Sequence, residues 1–300
     1  MEKAWISVFV FLVATNAWPM DLEGISENRL IRFNQAVRTA EQEGATYRMS
    51  LEAAPAGIIY ESICGLVFPK SISENASILN LKVSKNLPAK LDWREMKAVS
   101  TPKNQGETMY CWAFSLTGGL ESQVMMKGNP ELNLSEQDLI NCNQNGYNSQ
   151  TGGFLDAAQC LQDKGLPLEK DCPYIGTDGN CTDDLSRPYK ITGWKMLATD
   201  QSNPADTDLI KQAIMDYGPI CCGMTIDGNF MYYSGGVYNH DATGDPNHAV
   251  ILVGWDESMG QVGCWILKNS SGTQWGEGGF MYIEYGKSRV GVVPTVMNMN

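Results

Sequence analysis

The fold class this chain predicts is α+β, in two lobes. Three observations carry that expectation. The 300 residues are 43% apolar and 19% charged, the composition of a folded chain long enough to bury a sizeable core. Apolar residues recur at helical spacing through the middle of the chain, and toward the C-terminus short apolar or alternating runs alternate with glycine-rich breaks. Helices first and strands second favour separate lobes over repeating βα units, and a cleft between lobes is a common place for a functional site.

The N-terminus comes first. "MEKAWISVFVFLVATNAW" has a lysine near its start, an apolar run from Ile6 to Ala14, and small residues suited to cleavage after Ala17. The run is too short to span a bilayer, so residues 1–17 read as a signal peptide. No later stretch reaches about 18 uninterrupted apolar residues, so no membrane span is expected. The expected destination is the secretory pathway, either a lysosome-like compartment or the cell exterior. Residues 18–86 differ from the rest. "ENRLIRFNQAVRTAEQEG" sets Leu30, Phe33 and Val37 on one helical face, and "KSISENASILNLKVSKNLPAK" reads as an exposed linker open to proteolysis. The large globular part covers residues 87–300.

Within that part, "CWAFSLTGGLESQVMMKG" sets Trp112, Leu116, Leu120 and Val124 at helical spacing, with Gly128 closing the helix. "NLSEQDLINC" has a capping serine, Ser135, three residues before Asp138. "GFLDAAQCLQDKG" predicts a third helix ending at Gly165. "GPICCGMTI", "HAVILVGW", "CWILKNS" and "GFMYIEY" predict four strands.

The net charge of −12 disfavours nucleic acid as a partner, since a phosphate-binding surface is basic. Passage through an oxidising compartment makes the nine cysteines disulfide candidates. Nine is odd, so at least one thiol is free unless it pairs between chains. Cys111 falls in the first turn of a predicted helix, where unpaired backbone N–H groups and the helix dipole favour a thiolate. A thiolate nucleophile needs an imidazole partner, and the chain has two histidines. His240 lies in a polar loop; His248, at the mouth of an apolar strand, is the better base. Asn269, at the end of another apolar strand, can accept the imidazole N–H and fix the ring. Gln105 can donate to an oxyanion beside the Cys111 backbone N–H.

In these stretches the chain resembles the papain family of cysteine peptidases. "LPAKLDWRE", "KNQG", "CWAFS", "LSEQDLINC", "TGGFLDAA", "GPI", "SGGVY", "NHAVILVGW" and "WILKNSSGTQWGEGGF" occur in family order. His248 lies within the roughly 130–150 residues expected after the cysteine, and Asn269 slightly beyond. The resemblance implies a helical left lobe, a β-barrel-like right lobe and a cleft between them. It implies Cys111 as nucleophile, His248 as its imidazole partner, Asn269 as the orienting amide and Gln105 as the oxyanion donor. It further implies a substrate-binding glycine pair, Gly152 and Gly153. Trp275 would stand on the leaving-group side. Phe154, Leu155, Gly223 and Thr295 would border the pocket for the second side chain before the cut, with an apolar preference. No metal or cofactor is implied; protein or peptide substrates and cystatin-like inhibitors are, for a monomer. Residues 18–86 would be an atypical, short pro-segment with a reduced inhibitory role.

The chain departs from the family in several places. Thr108, Met109 and Tyr110 stand where the family has Cys-Gly-Ser, and Gln150 stands where that cysteine's partner would be. One bridge is therefore lost cleanly. Val290 marks the loss of a second, while Cys142 and Cys181 keep the third. Cys160, Cys172, Cys221, Cys222 and Cys264 are open to two readings, further bridges or buried thiols. Ser271 replaces a tryptophan that shields the imidazole–amide bond, which implies a wetter, weaker bond. Asn75, Asn133 and Asn180 are glycan acceptor candidates. The competing functional readings are an inactive homologue that binds, or an exopeptidase or peptide ligase on the same scaffold.

Overall fold

The computed structural model describes residues 26–54, 58–68, 77–143 and 152–299. Residues 1–17, Asn75 and Gln150 lie outside the described residues, as do the side chains of Phe154 and Leu155. Helix α1 (Glu27–Glu43) begins at Ser26, whose hydroxyl accepts from the Arg29 amide. It ends at Gly44, whose φ of 68° is the left-handed conformation that terminates helices. Strand β1 (Tyr47–Met49), a single 3-10 turn (Tyr60–Ile63) and strand β2 (Lys90–Asp92) follow.

Three helices then build one lobe: α2 (Cys111–Met126), α3 (Glu136–Cys142) and α4 (Phe154–Asp163). The expected cap is present, with Ser135 Oγ accepting from the Asp138 amide at 2.9 Å. Helix α2 is buried on every face from Cys111 to Met125, not on one stripe. Its position explains this: α3 and α4 pack on one side and the sheet on the other. Gly118 and Gly119 admit Ile251, Met297 and Cys221 so closely that a Cβ at either position would overlap them. Ser115, Glu121, Ser122 and Gln123 of α2 are paired, whereas the buried Thr117 hydroxyl has no hydrogen-bond partner among the described residues. Ser115 Oγ donates to the Val250 carbonyl at 2.8 Å, and Glu121 meets Lys103 at 2.8 Å and the Leu134 amide at 2.9 Å. Burial without such partners would be costly.

The remaining elements are β3 (Gly193–Met196), α5 (Thr207–Tyr217), β4 (Ile220–Met224), α6 (Gly228–Met231), β5 (Tyr233–Tyr238), β6 (His248–Asp256), β7 (Cys264–Lys268), β8 (Phe280–Glu284) and β9 (Val292–Asn298). The strands join in the order β1-β5-β8-β7-β6-β4-β9-β3, with β2 added to β6. Strand β6 is buried at every position and carries the centre of the sheet. The four expected strands are all present. Helix α5 was not expected in this half, although its signals are in the sequence. Asp206 caps it through the Leu209 amide at 3.0 Å, and Ile210, Ala213 and Ile214 form its buried face.

The N-terminal region is docked on this half. Phe33 of α1 meets Tyr232 edge-on at 5.1 Å, and β1 pairs antiparallel with β5, Tyr47 opposite Gly236. Part of the expected linker lies along β3, where the Leu79 amide donates to the Met196 carbonyl at 2.8 Å. Cys142 and Cys181 are bonded, as the resemblance implied. Cys160, Cys221, Cys222 and Cys264 are buried free thiols, and Cys172 is a half-buried one. No helix among the described residues is long and apolar enough to cross a membrane.

Candidate active site

Cys111 is the first residue of α2 and has no exposed surface. His248 opens β6, and Asn269 follows the last residue of β7. Pairing of β6 with β7 brings the two side chains together, with His248 Nε2 2.9 Å from Asn269 Oδ1. Asn269 Nδ2 donates in turn to Ser271 Oγ at 3.0 Å. With the N-terminal region docked, His248 is 0% and Asn269 3% exposed. Phe230 stands edge-on to the imidazole at 5.6 Å, and Trp275 packs on Phe230 at 4.8 Å. Neither the Ser271 contact nor the Phe230 cover was expected from sequence.

Gln105 is held from both ends. Its Oε1 accepts from Ser270 Oγ at 2.5 Å, and its Nε2 donates to the Thr108 carbonyl at 2.5 Å. The same Nε2 lies 3.4 Å from the carbonyl oxygen of Ile63, and His248 Nδ1 lies 3.3 Å from that oxygen. Gln105 and His248, the latter held by Asn269, therefore face one backbone carbonyl supplied by the N-terminal region.

That region continues along the cleft. Gly152 N donates to the Gly65 carbonyl and Val67 N to the Gly152 carbonyl, both at 2.9 Å, forming a parallel bridge around Leu66. A side chain at Gly65 would overlap the Met109 carbonyl, and one at Gly152 would overlap the Trp112 ring. A Cβ at Gly223 would stand 2.9 Å from Leu66 and 3.1 Å from Phe68, so Gly223 faces both. Gly153 caps α4 in extended conformation. Thr295 is buried in β9, and its hydroxyl donates to the Val293 carbonyl at 3.1 Å. It is not brought to Leu66 by any hydrogen bond of its own.

Under this strand the electrostatics are those of a resting site. Burial pushes the Cys111 thiol up to about 11, against the backbone hydrogen bonds of Ala249, Gly65 and Trp112. Burial also lowers His248, against its bonds to Asn269 and the Ile63 carbonyl. At neutral pH the thiol keeps its proton and the imidazole is uncharged.

The residues at the missing bridge are now explained. Tyr110 is buried outside the cleft; its hydroxyl donates to Asp178 Oδ1 at 2.7 Å, and its ring is edge-on to Tyr174 at 6.4 Å. It braces the loop that a disulfide would otherwise tie. Met109 instead lies beneath Gly65 at the cleft floor. His240 is remote from Cys111's set. It bridges Glu43 of α1 at 2.5 Å and Asp227 at 2.7 Å. Burial opposes its charge, but the bonds to Asp227 and Glu43 prevail and raise it to about 9.

Comparison with known proteins agrees with this architecture. The chain is 36% identical over 214 residues to pro-cathepsin H of Mus musculus, which covers 68% of this chain and 62% of that protein. It is 35% identical over 203 residues to a senescence-specific cysteine protease of Arabidopsis thaliana, covering 66% of this chain and 57% of that one. The chain thus spans less than two thirds of the length of either relative. Among solved structures, a digestive procathepsin L2 proteinase from the Tenebrio molitor larval midgut superposes with a TM-score of 0.78. It is 28% identical and covers 91% of this chain and 90% of its own. Residues 87–298 match the family described as papain family cysteine protease. The two-lobed α+β fold, the paired histidine and asparagine, and this match together establish that the chain belongs to the papain family of cysteine proteases.

Proposed function

We propose that this chain is the latent form of a thiol endopeptidase, with Cys111, His248, Asn269 and Gln105 as its catalytic set. The observation that carries the reading is that Gln105 and His248, the latter held by Asn269, both face one carbonyl oxygen, that of Ile63. With the N-terminal strand removed, a substrate carbonyl takes that place. Water enters, the burial that holds both groups neutral is relieved, and the thiolate–imidazolium pair forms at the helix N-terminus. Cys111 Sγ attacks the carbonyl carbon, and Gln105 Nε2 with the Cys111 amide receives the developing oxyanion. His248 gives its proton to the leaving amine, leaving a thioester, and then takes one from the water that hydrolyses it. Asn269 keeps the ring aimed throughout.

Residues 18–86 act as a removable pro-segment, following a signal peptide at residues 1–17. Leu66 and Phe68 against Gly223 support an apolar preference at the second residue before the cut. Asn133 and Asn180 are exposed, which supports them as glycan acceptors in the secretory pathway. The protein then works as a monomer on protein or peptide substrates, in a lysosome-like compartment or outside the cell, open to cystatin-like inhibitors.

The test is covalent. Protein freed of residues 18–86 and kept reduced at mildly acidic pH is treated with an epoxide that alkylates papain-type thiols. Labelling at Cys111, absent in Cys111→Ala, is the expected result; an unlabelled Cys111 would support an inactive binding protein instead.

A further inference from the structure

One residue of the cleft strand has no part in the catalytic set. Cys64 lies between Ile63, whose carbonyl faces His248 and Gln105, and Gly65, whose backbone lies against Met109 and Cys111. The chain is thus held on both sides of Cys64, and the backbone of the next residue lies beside the nucleophile. Both Cys64 and Cys111 are free thiols. The Cys64 thiol donates to the Tyr60 carbonyl at 2.9 Å, a bond that the disulfide would replace. Leu66 N donates to the Asn247 carbonyl at 3.2 Å, next to His248, so the segment is held there on both sides of Cys64; burial, with a smaller contribution from Cys111, raises Cys64 above its ordinary range. Two of the other free thiols are engaged elsewhere. Cys221 Sγ donates to the Ser115 carbonyl at 3.2 Å, and Cys160 Sγ to the Cys142 carbonyl at 3.5 Å.

We propose that Cys64 and Cys111 form a reversible disulfide that locks the N-terminal segment over the nucleophile, so that release requires a thiol reductant as well as proteolysis. The lock rests on the reading of Cys111 as the reactive thiol. Its oxidant is a low-molecular-weight disulfide such as oxidised glutathione. The Cys111 thiolate attacks one sulfur of that disulfide, forms a mixed disulfide and expels one thiol. Deprotonated Cys64 then attacks the Cys111 sulfur and expels the second thiol. Two protein S–H bonds are lost, one S–S bond forms, and the small disulfide is reduced to two thiols. Burial in the docked state makes both thiolates scarce. Exchange therefore proceeds through brief openings of the strand and is slow once it is closed.

The full chain is equilibrated with oxidised and reduced glutathione, its free thiols are blocked, and its peptides are mapped by mass without reduction. The expected result is a Cys64–Cys111 linked peptide beside Cys142–Cys181. After proteolytic cleavage ahead of residue 87, the N-terminal fragment should stay attached and Cys111 should resist the epoxide until reductant is added. In Cys64→Ser the fragment should leave, and Cys111 should label, without reductant. Finding Cys142–Cys181 oxidised while Cys64 and Cys111 are alkylated, or each carry glutathione separately, would overturn the proposal. A linked peptide whose Cys111 stays unlabelled after reduction would uphold the lock and sink the catalytic reading.

Discussion

The side-chain amide of Asn269 donates to Ser271 Oγ at 3.0 Å and thereby presents its carbonyl oxygen to His248 Nε2 at 2.9 Å. A hydroxyl here sets which end of the amide faces the ring. One such hydrogen bond is worth about 0.5–1.5 kcal/mol net, so Ser271→Ala should lower kcat about 2- to 10-fold with KM little changed. Ser271→Thr, which keeps the hydroxyl, should restore it. Equal kcat for all three forms on one peptide substrate would remove Ser271 from the mechanism.

Gly65 passes over Met109 with no room for a side chain. Gly65→Val must displace the strand from the cleft, an overpacking that costs about 1–3 kcal/mol. Peptides spanning residues 26–86 with and without the change should differ in Ki against the processed enzyme by about 5- to 150-fold. An unchanged Ki would mean that the strand contributes nothing to inhibition.

Met109 stands where the family has glycine, at the cleft floor. Met109→Gly should raise kcat/KM for substrates with a bulky side chain just before the cut and leave glycine substrates nearly unaffected. Paired peptide substrates differing only at that residue give the ratio directly. The original enzyme should prefer the smaller residue.

His240 joins α1 to the C-terminal half through Glu43 and Asp227. Its value in the docked state, about 9, lies above the ordinary 6.5. A raised histidine stabilises the state that binds the proton. The contribution is therefore full below about pH 6.5 and is lost as pH rises through about 9. Urea midpoints of the full chain, followed by a probe on α1, should fall between those limits. His240→Gln should flatten that part of the profile.

The legible parts of this molecule are those in which side chains carry the information. Cys111, His248 and Asn269 stand at element ends whose apolar runs are plain in the sequence, and only two histidines had to be weighed. Ser135 and Gly128 marked helix ends because capping is local. Helix α2 was harder: a helix enclosed on every side has no polar face to betray its surroundings, so four spaced residues stood for a fully buried element. The cleft strand was not legible. Its contact with His248 and Gln105 is made by the Ile63 carbonyl, a group every residue possesses, and the partners lie far apart in sequence. The role of Ser271 was hidden because a lost tryptophan reads as an absence, whereas its hydroxyl makes a new bond.

Removal of residues 18–86 would do more than clear the cleft. Strand β5 borders β1 on one side and β8 on the other, so cleavage would leave it at the sheet's margin with unpaired backbone groups. Such margins invite pairing with other chains. Here Gly235 and Gly236, with φ of 149° and 85°, sit in the middle of the newly bared stretch. Even β1 pairs there over only three residues and with a shift in register, so the stretch offers a neighbouring molecule no long straight ladder. The glycines that let β1 dock before activation would then serve the processed enzyme as protection against self-association.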